Sequence, residues 1–376
     1  MSVYVDDATP TARPSRGTDW LVERTRRPMP RDAVLVHAGS STLQAPGGGE
    51  IQLIQTAREL EKLGIPVRPF IPWIDSIAQA RLLHLFGMSP EGLNLARVAR
   101  SRGVPVVLSP ICWFEPRAWA ADDSSLYGQA RTWIRWLAWT LSRGRGSWRR
   151  ELLLSADAIL PNSEAEKRQL VDLLQIDPSR IHVVPNGVDA RFLKPDPEAA
   201  RDLLGPADFA LYVGRIEPRK NLLGVIQAMR PMGLPLVVVG DPVPGHEAYA
   251  KACRALSGSF VRWIPRLDHD DPRLASLYAA ARIFTLVSWF ETPGLAALEA
   301  AAAGAAIVIT PYGSTREYFG ELAHYARPGR RKEIQLAIVS AWARGPQPDL
   351  SRRVRNRYLW AHVAQRTAEV YHALHR

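Results

Sequence analysis

The sequence contains few of the features that mark secreted, disulfide-bonded or membrane-spanning proteins. Only two cysteines, Cys112 and Cys253, occur among 376 residues, which excludes a framework of disulfide bonds. The most apolar window, residues 295–310, contains Glu299 and falls short of the roughly 18 residues that a membrane-spanning helix requires. The N-terminus has early acids and no apolar core of a secretory signal. We therefore expect a globular protein of a reducing, cytoplasmic compartment.

Familiar nucleotide and metal motifs are missing as well. The sequence has no glycine-rich fingerprint of the dinucleotide-binding or Walker type, and no closely spaced group of His and Cys. The stretch DHDDP, residues 268–272, contains two aspartates at a spacing that a divalent cation can use. However, Asp271 followed by Pro272 is typical of a helix start with the aspartate as its cap. We therefore favour the cap over a metal site.

Positive charge is in excess and partly localised. The net charge is +11, and residues 131–150 hold six arginines and no acids. The helix predicted over residues 129–150 carries apolar residues on nearly all of its sides. A helix that packs on a core needs only one apolar stripe. Two interpretations stay open. Either Trp133, Trp136, Arg131 and Arg135 meet an anionic membrane surface, or the tryptophans pack and the arginines are solvated. Nucleic acid is disfavoured, because no recognition helix or aromatic-lined basic sheet is evident.

Short β-rich runs alternate with helical periodicity from about residue 33, which indicates βα units and parallel sheets. A segment rich in Pro and Asp near residues 190–207 is typical of a linker. We predict an α/β protein of two doubly wound domains, over residues 33–190 and 205–357. Residues 1–32 are predicted to be a poorly ordered leader, and a last helix, residues 358–376, to pack back on the first domain.

Two carboxylates follow a predicted strand in the second domain. Glu291 lies in the loop after the strand, and Glu299 lies about one turn into an alanine-rich helix that ends at Gly304. Ligands bind at the carboxyl ends of such strands, and both acids can face one crevice there. A buried carboxylate needs partners, which ligand hydroxyls can supply. The alternative, a solvated helix residue and an ordinary loop acid, stays open from position alone.

Two loops could bind phosphate. Arg215 and Lys220 flank a loop at the end of another predicted strand, where a cation pair suits a diphosphate. Gly47, Gly48 and Gly49 come directly before a predicted helix, where glycines let the backbone approach a ligand closely and the helix N-terminus attracts anions. In each case the alternative is an ordinary surface loop. His37, His84 and His182 adjoin apolar segments and are expected to pack, as is the thiol of Cys112.

Together these motifs resemble those of the retaining glycosyltransferases of family 4, whose GT-B fold has two Rossmann-like domains facing across a cleft. PGGGE (residues 46–50) is similar to the glycine loop of the family, and YVGRIEPRKN (212–221) to its phosphate loop. ETPGLAALEAAAAG (291–304) is similar to its E-x7-E signature. ILPNSEAEK, IHVVPNGVD and the final helix are similar to its other landmarks. The resemblance extends from about residue 33 to the C-terminus.

The resemblance implies roles for most of these residues. Arg215 and Lys220 would hold the donor diphosphate, and Glu299 the ribose hydroxyls. Glu291 and the backbone of Thr292, Gly294 and Leu295 would hold the sugar and its phosphates, while Gly48 and Gly49 would touch the donor from the first domain. The family needs no metal, so we expect none, and no cofactor beyond a nucleotide-diphosphate sugar as donor substrate.

Two departures from the family pattern stand out. Pro293 cannot donate a backbone hydrogen bond to a phosphate, and the region PICWFEP, residues 110–116, lacks the His that many members have near the reacting sugar. A backbone carbonyl or Glu115 could replace that His.

We expect a retaining hexosyltransferase that moves a sugar to an acceptor hydroxyl in lipopolysaccharide or exopolysaccharide assembly. It would be cytoplasmic, with attachment to the inner face of the cell membrane left open, and its acceptor lipid-linked or a saccharide. The alternatives are a GT-B nucleotide-sugar 2-epimerase and a catalytically silent nucleotide-sugar-binding protein.

Overall fold

The computed structural model describes residues 19–30, 32–39, 47–116, 126–205 and 208–374. These residues form two parallel β-sheets with helices on their faces, which confirms the predicted α/β class. The strands are short apolar runs, and β10 (Ala306–Ile309) is buried over its whole length. Such continuous burial is expected where helices cover both faces of a parallel sheet.

The first sheet has five strands in the order β2-β1-β3-β4-β5, all parallel. The strands are β1 (Val34–Ala38), β2 (Val67–Pro69), β3 (Leu82–Phe86), β4 (Val106–Ser109) and β5 (Ala158–Ile159). The helices of this half are α1 (Asp19–Thr25), α2 (Gly48–Lys62), α3 (Pro90–Ser101), α4 (Leu126–Leu141), α5 (Trp148–Ser155) and α6 (Glu164–Leu174).

The second sheet has six strands in the order β11-β10-β9-β6-β7-β8, again all parallel. Its strands are β6 (Ala210–Val213), β7 (Leu236–Val239), β8 (Val261–Ile264), β9 (Ile283–Leu286), β10 (Ala306–Ile309) and β11 (His324–Tyr325). The helices of this half are α7 (Glu198–Leu204), α8 (Leu222–Met229), α9 (Glu247–Leu256), α10 (Pro272–Ala280), α11 (Leu295–Ala303), α12 (Thr315–Phe319), α13 (Arg331–Arg344) and α14 (Pro348–Arg357).

The last helix, α15 (Trp360–Ala373), returns to the first sheet. It packs against α2, and its Trp360 and Tyr371 are buried in the same core as Val34 of β1. The Tyr371 hydroxyl lies 2.6 Å from Nδ1 of His84 on β3, and Ser109 of β4 lies 2.9 Å from the other ring nitrogen. His84 is therefore a packed core histidine, and burial lowers its pKa to about 3.

Two local predictions from the sequence differ from the structure, and two elements were not predicted. The predicted leader is too long, because residues 19–25 form α1, whose Trp20 is buried and donates to Glu61; residues 1–18 lie outside the described residues. The helix predicted over residues 129–150 is two helices, because Gly144 adopts a left-handed φ of 62° and Ser147 caps α5. The sequence pattern did not predict β3 and α3 as separate elements.

The two halves meet through loops at the carboxyl edges of their sheets. Trp113, after β4, contacts the ring of Phe290, after β9, with centroids 4.7 Å apart. The side-chain amide of Asn186 donates to the carbonyl of Thr292 at 3.3 Å. The carboxylate of Glu317 on α12 accepts from the backbone N–H groups of Glu164 and Ala165 at the start of α6. The candidate ligand loops of both halves therefore face one another.

Candidate functional site

A buried ion pair joins the predicted phosphate loop to the loop that is predicted to hold the sugar. Lys220 ends the 3₁₀ turn after β6, and Glu291 lies in the loop after β9. The Nζ of Lys220 lies 2.6 Å from Oε1 of Glu291, and the Ser288 hydroxyl donates to the same oxygen at 2.6 Å. The two side chains are only 14% and 5% exposed. The structure thus brings together two of the three residues predicted to be catalytic.

Burial and charge act against each other in this pair. Burial alone would raise the pKa of Glu291, but the charges of Lys220 and Arg219 and the hydrogen bonds from Lys220 and Ser288 hold this pKa below its ordinary value. Burial lowers the pKa of Lys220, and the charge of Glu291 limits that effect. Glu291 is therefore an anion whose charge is compensated by a cation in the predicted phosphate loop.

The third predicted residue, Arg215, lies on the same loop but has a different partner. Its side chain is 52% exposed, and its guanidinium lies 3.3 Å from Glu217, which also accepts from Arg219 at 2.8 Å. Arg219 further donates to the carbonyl of Phe290, and its own carbonyl accepts from the N–H of Trp289. Arg219 therefore ties the phosphate loop to the Glu291 loop, whereas Arg215 keeps much of its surface available to an anion.

The loop from Glu291 to Leu295 leads directly into α11. Gly294 precedes the helix with a φ of 84°, and a side chain there would come within 3.0 Å of Oε2 of Glu291. Only glycine suits that backbone without strain. Backbone bonds join Glu291 to the residues after β10, since its N–H donates to Tyr312 and its carbonyl accepts from Ser314. The Thr292–Pro293 peptide is cis.

Glu299, inside α11, is buried by its own set of partners. Its Oε1 lies 2.8 Å from Nε2 of His269, and its Oε2 accepts from the hydroxyl of Tyr278 at 2.9 Å. Only 6% of the residue is exposed, so it is not the solvated helix acid considered above. Glu291 and Glu299 therefore lie in one continuous loop and helix, and each carboxylate has its own partners.

The N-terminus of α2 reaches the same region from the other half. Gly48 and Gly49 form the first turn of this helix, and the Glu50 side chain accepts from the N–H of Gly47. A side chain at Gly48 would contact Leu295 at 3.5 Å, so the second half of the chain approaches this helix closely. The loop that precedes Gly47, residues 40–46, lies outside the described residues.

Comparison with known proteins shows the family of the chain. The model of glycosyl transferases group 1 matches residues 200–338, and that of glycosyltransferase family 4 matches residues 70–192. The chain belongs to the family 4 glycosyltransferases with the GT-B fold.

Similar proteins include both sequence relatives and solved structures. D-inositol 3-phosphate glycosyltransferase of Mycolicibacterium paratuberculosis is 28% identical over 334 residues, which covers 76% of this chain and 75% of the relative. The structure of sucrose-phosphate synthase from Thermosynechococcus elongatus has a TM-score of 0.71 at 17% identity, covering 92% of this chain and 99% of that one. Anabaena HepE, solved with UDP and glucose, has a TM-score of 0.65 at 18% identity, covering 90% and 99%.

The first half of this glycosyltransferase presents no histidine in residues 110–116. Cys112 is buried there, and burial raises its pKa to about 12. Its N–H donates to Glu166 at 2.7 Å, and the N–H of Asn162 donates to the other oxygen at 2.8 Å. Burial raises the pKa of Glu166 to about 7 against these two bonds. Glu166, which sequence reasoning missed, therefore joins the loops after β4 and β5.

Two further residues that sequence reasoning missed are His269 and Tyr278, the partners of Glu299. His269 belongs to the DHDDP stretch considered for a metal. Within the described residues, no group of three or more metal-ligating side chains is found. Asp271 caps α10 with Pro272 at the first helical position, as predicted. The one signal in the sequence was that a His stands beside this predicted helix cap. In the structure, the helix that follows packs on α11.

Helix α4, which carries Trp133, Trp136, Arg131 and Arg135, has an apolar face that points away from the protein. Trp139 stacks on Phe114 with centroids 4.1 Å apart, and Trp136 is half-buried, so these indoles turn towards the protein. Trp133 is 42% exposed, and Arg131 and Arg135 are exposed. Among the described residues, no helix has the length and apolarity needed to cross a bilayer.

Proposed function

We propose that this glycosyltransferase moves a hexose from a nucleotide-diphosphate sugar to an acceptor hydroxyl, with retention of the anomeric configuration. The observation that carries the proposal is the buried Lys220–Glu291 pair at 2.6 Å, with Arg215 on the same loop. Cations at the carboxyl edge of a parallel sheet suit a diphosphate, and an adjacent anion suits sugar hydroxyls.

The chemistry requires charge stabilisation rather than a strong base. The bond between the anomeric carbon and the donor phosphate oxygen breaks, and a bond to the acceptor oxygen forms through an oxocarbenium-like transition state. The departing diphosphate gains negative charge, which Lys220 and Arg215 would stabilise where it develops. The leaving phosphate can accept the acceptor proton, so that neither a metal nor a separate base is required.

The ligand-free contacts indicate how binding would proceed. Lys220 is held by Glu291, and Arg215 by Glu217, so each predicted phosphate ligand starts from a carboxylate partner. A diphosphate would offer each cation a new anion and leave Glu291 able to accept from a sugar hydroxyl. Closure of the cleft around the donor would exclude water, which strengthens these interactions.

The names of related proteins support the substrate class. The solved structures of Anabaena HepE contain UDP, and the sequence relatives include D-inositol 3-phosphate glycosyltransferases. A TM-score of 0.61 relates the fold to the lipopolysaccharide outer core galactosyltransferase WaaB. We propose an acceptor in cell-surface polysaccharide assembly, either a saccharide or a lipid-linked one.

The outward face of α4 supports a lipid-linked acceptor. Tyr127, Ile134 and Leu141 recur every seven residues along one side of the helix and are 79%, 68% and 76% exposed. Leu137 adds to this face, and Arg131 and Arg135 flank it. An apolar stripe bordered by arginines suits the interface of an anionic membrane, with side chains among the acyl chains and guanidinium groups at phosphates. We propose that α4 lies on the cytoplasmic membrane surface.

A donor panel tests the enzymatic proposal. The full chain is incubated with UDP-, GDP- and ADP-hexoses, with and without candidate acceptors, and free nucleotide and the sugar products are measured. We expect slow donor hydrolysis for one nucleotide and transfer with an α- or β-linkage that matches the donor. Epimerised sugar without transfer would favour the epimerase. Nucleotide binding without turnover of any donor would favour a silent binder.

A further inference from the structure

The side chains of the DHDDP stretch, residues 268–272, have different roles. Asp271 caps α10 by accepting from the N–H of Arg273 at 2.9 Å. Asp270 accepts from Arg191 at 2.7 Å. The His269 ring contacts Arg191 through Nδ1, and its Nε2 lies 2.8 Å from Oε1 of Glu299. The histidine is thus the member of the stretch that reaches the candidate donor site.

His269 and Tyr278 hold the carboxylate of Glu299 from both sides. His269 contacts Oε1 and the Tyr278 hydroxyl donates to Oε2, so each oxygen has one hydrogen bond from the part of the chain that the structure describes. A carboxylate offers about four lone-pair positions, two on each oxygen. One position on each oxygen therefore remains. Two acceptors side by side in a fixed plane match two neighbouring hydroxyls of a sugar.

Further contacts fix His269 itself. Its backbone carbonyl accepts from Arg191 at 2.5 Å, and its ring packs edge-to-face on Phe192 with centroids 5.6 Å apart. Arg191 and Phe192 belong to the 3₁₀ turn Ala190–Leu193, which lies between the two sheets in the chain. The position of Glu299 is therefore connected through His269 to the segment that joins the two halves.

We propose that His269 is a positioning residue for the donor nucleotide. It holds Glu299 in the orientation that accepts hydrogen bonds from both ribose hydroxyls, and it couples this orientation to residues 190–193. The inference rests on the proposed function, because it assumes that Glu299 faces a donor ribose.

Among the described residues, Glu299, Asp270 and Arg191 are the charged groups that act on His269, and the Tyr278 hydroxyl bonds the other oxygen of Glu299. Burial would lower the pKa of His269, but Glu299 and Asp270 together raise it to about 9. Arg191 Nη2 lies 2.6 Å from Nδ1, which favours the neutral ring, whereas Asp270 lies 3.7 Å from Nδ1 and favours the cation. Nε2 donates to Glu299 in both states, so the positioning role does not depend on the ring charge.

Two substitutions separate hydrogen bonding from packing. His269→Phe keeps a ring against Phe192 and removes the donor, whereas His269→Gln keeps an N–H near Oε1. Tyr278→Phe removes only the opposite hydroxyl and serves as a second variant if His269→Phe fails to fold. Asp271→Ala, which removes a helix cap two positions away, is the matched control for stability.

The readout is the preference for ribose over deoxyribose. Calorimetry measures binding of UDP and GDP and of their 2′-deoxy forms to the full chain. Loss of one hydrogen bond to a charged group corresponds to roughly tenfold or more in affinity. We expect His269→Phe to lose most of the preference of the wild type for ribose, and to raise the donor KM far more than it lowers kcat. His269→Gln should recover most of the preference, and Asp271→Ala should retain all of it.

Two further variants, Glu299→Gln and Lys220→Ala, distinguish a failure of the positioning role from a failure of the proposed donor site. If Glu299→Gln abolishes the ribose preference while His269→Phe and Tyr278→Phe retain it, the positioning role is wrong and the donor site stands. If neither Glu299→Gln nor Lys220→Ala weakens nucleotide binding, the donor site itself is wrong. A loss of affinity in His269→Phe that is equal for ribose and deoxyribose forms would also overturn the inference.

Discussion

The carboxylate of Glu317 accepts a hydrogen bond at 2.8 Å from the backbone N–H of Glu164, which lies in the other half of the molecule. A second bond, from the N–H of Ala165 at 2.7 Å, completes the cap on α6. The first N–H groups of a helix lack partners within the helix, and a negative charge there interacts favourably with the helix dipole. A residue of the second half of the chain thereby caps a helix of the first half.

We expect removal of this cap to destabilise the contact between the halves. Glu317→Ala should lower the free energy of unfolding by about 1 kcal/mol, as loss of a helix cap does elsewhere. Urea unfolding at neutral pH measures the change. Glu321→Ala is the matched control, because that side chain is 91% exposed and only four residues away. Equal stability of the two variants would show that the cap contributes nothing measurable.

Loss of Lys220 should affect turnover rather than folding. We expect Lys220→Ala to lower kcat/KM by about a hundredfold or more, because charge developing on the diphosphate loses a preorganised cation. Steady-state kinetics with the donor selected by the panel, together with circular dichroism, provides the measurement. Lys332→Ala changes an exposed lysine in the same half and should leave kinetics unaltered. Unchanged turnover in Lys220→Ala would contradict the phosphate assignment.

The α4 face should bind anionic vesicles. We expect the full chain to float with phosphatidylglycerol-containing liposomes at low salt and to dissociate as salt rises, since Arg–lipid attraction is screened. Ile134→Glu combined with Leu137→Glu should abolish flotation.

A closely matched control exists for that experiment. Leu336 and Val339 on α13 have the same spacing as Ile134 and Leu137, and are 70% and 51% exposed against 68% and 52%. Leu336→Glu with Val339→Glu should leave flotation intact. Absence of wild-type flotation, or equal loss in both double variants, would contradict membrane docking by α4. Concentration-dependent dimers that only the α4 variant loses would identify a second copy as the occupant instead.

His84 should make the protein sensitive to mild acid. Its folded pKa is about 3, and its unfolded pKa about 6.5, so the unfolded state binds a proton that the folded state excludes. Stability from this group is therefore present above pH 6.5 and falls as the pH drops towards 3, by about 1.4 kcal/mol per pH unit. Urea unfolding of the wild type and of His84→Asn between pH 7 and pH 4.5 measures the difference. Identical slopes would contradict the assignment.

Much of the local structure could be predicted from the sequence. The β/α alternation was visible because strands such as β10 are buried on both faces and therefore appear as unbroken apolar runs. The cap at Asp271 followed by Pro272 and the helix end at Gly304 were predicted from single residues, since each rule depends on neighbours within one turn. The predicted leader was too long because Trp20 is buried only by contact with residues far along the chain.

The candidate site was predictable in composition but not in its partners. The E-x7-E spacing and the cation loop predicted Glu291, Glu299, Arg215 and Lys220 as site residues. Neither signal could show that Lys220 pairs with Glu291, 71 positions away, or that His269 and Tyr278 hold Glu299. The sequence also could not show which tryptophans of α4 face the protein, because Trp139 packs on Phe114, which lies in another loop.

By itself, therefore, the sequence determined the alternation of strands and helices, individual helix caps such as Asp271, and the residue types at the candidate site, because hydrophobic periodicity and capping act over a few neighbouring residues. Only the tertiary structure decided the partner of each buried charge. Burial makes an unpaired charge costly, and the partner that satisfies it is whichever polar group the packing of distant elements brings within about 3 Å. In this glycosyltransferase the two halves supply such partners to each other, as Glu317 does for α6.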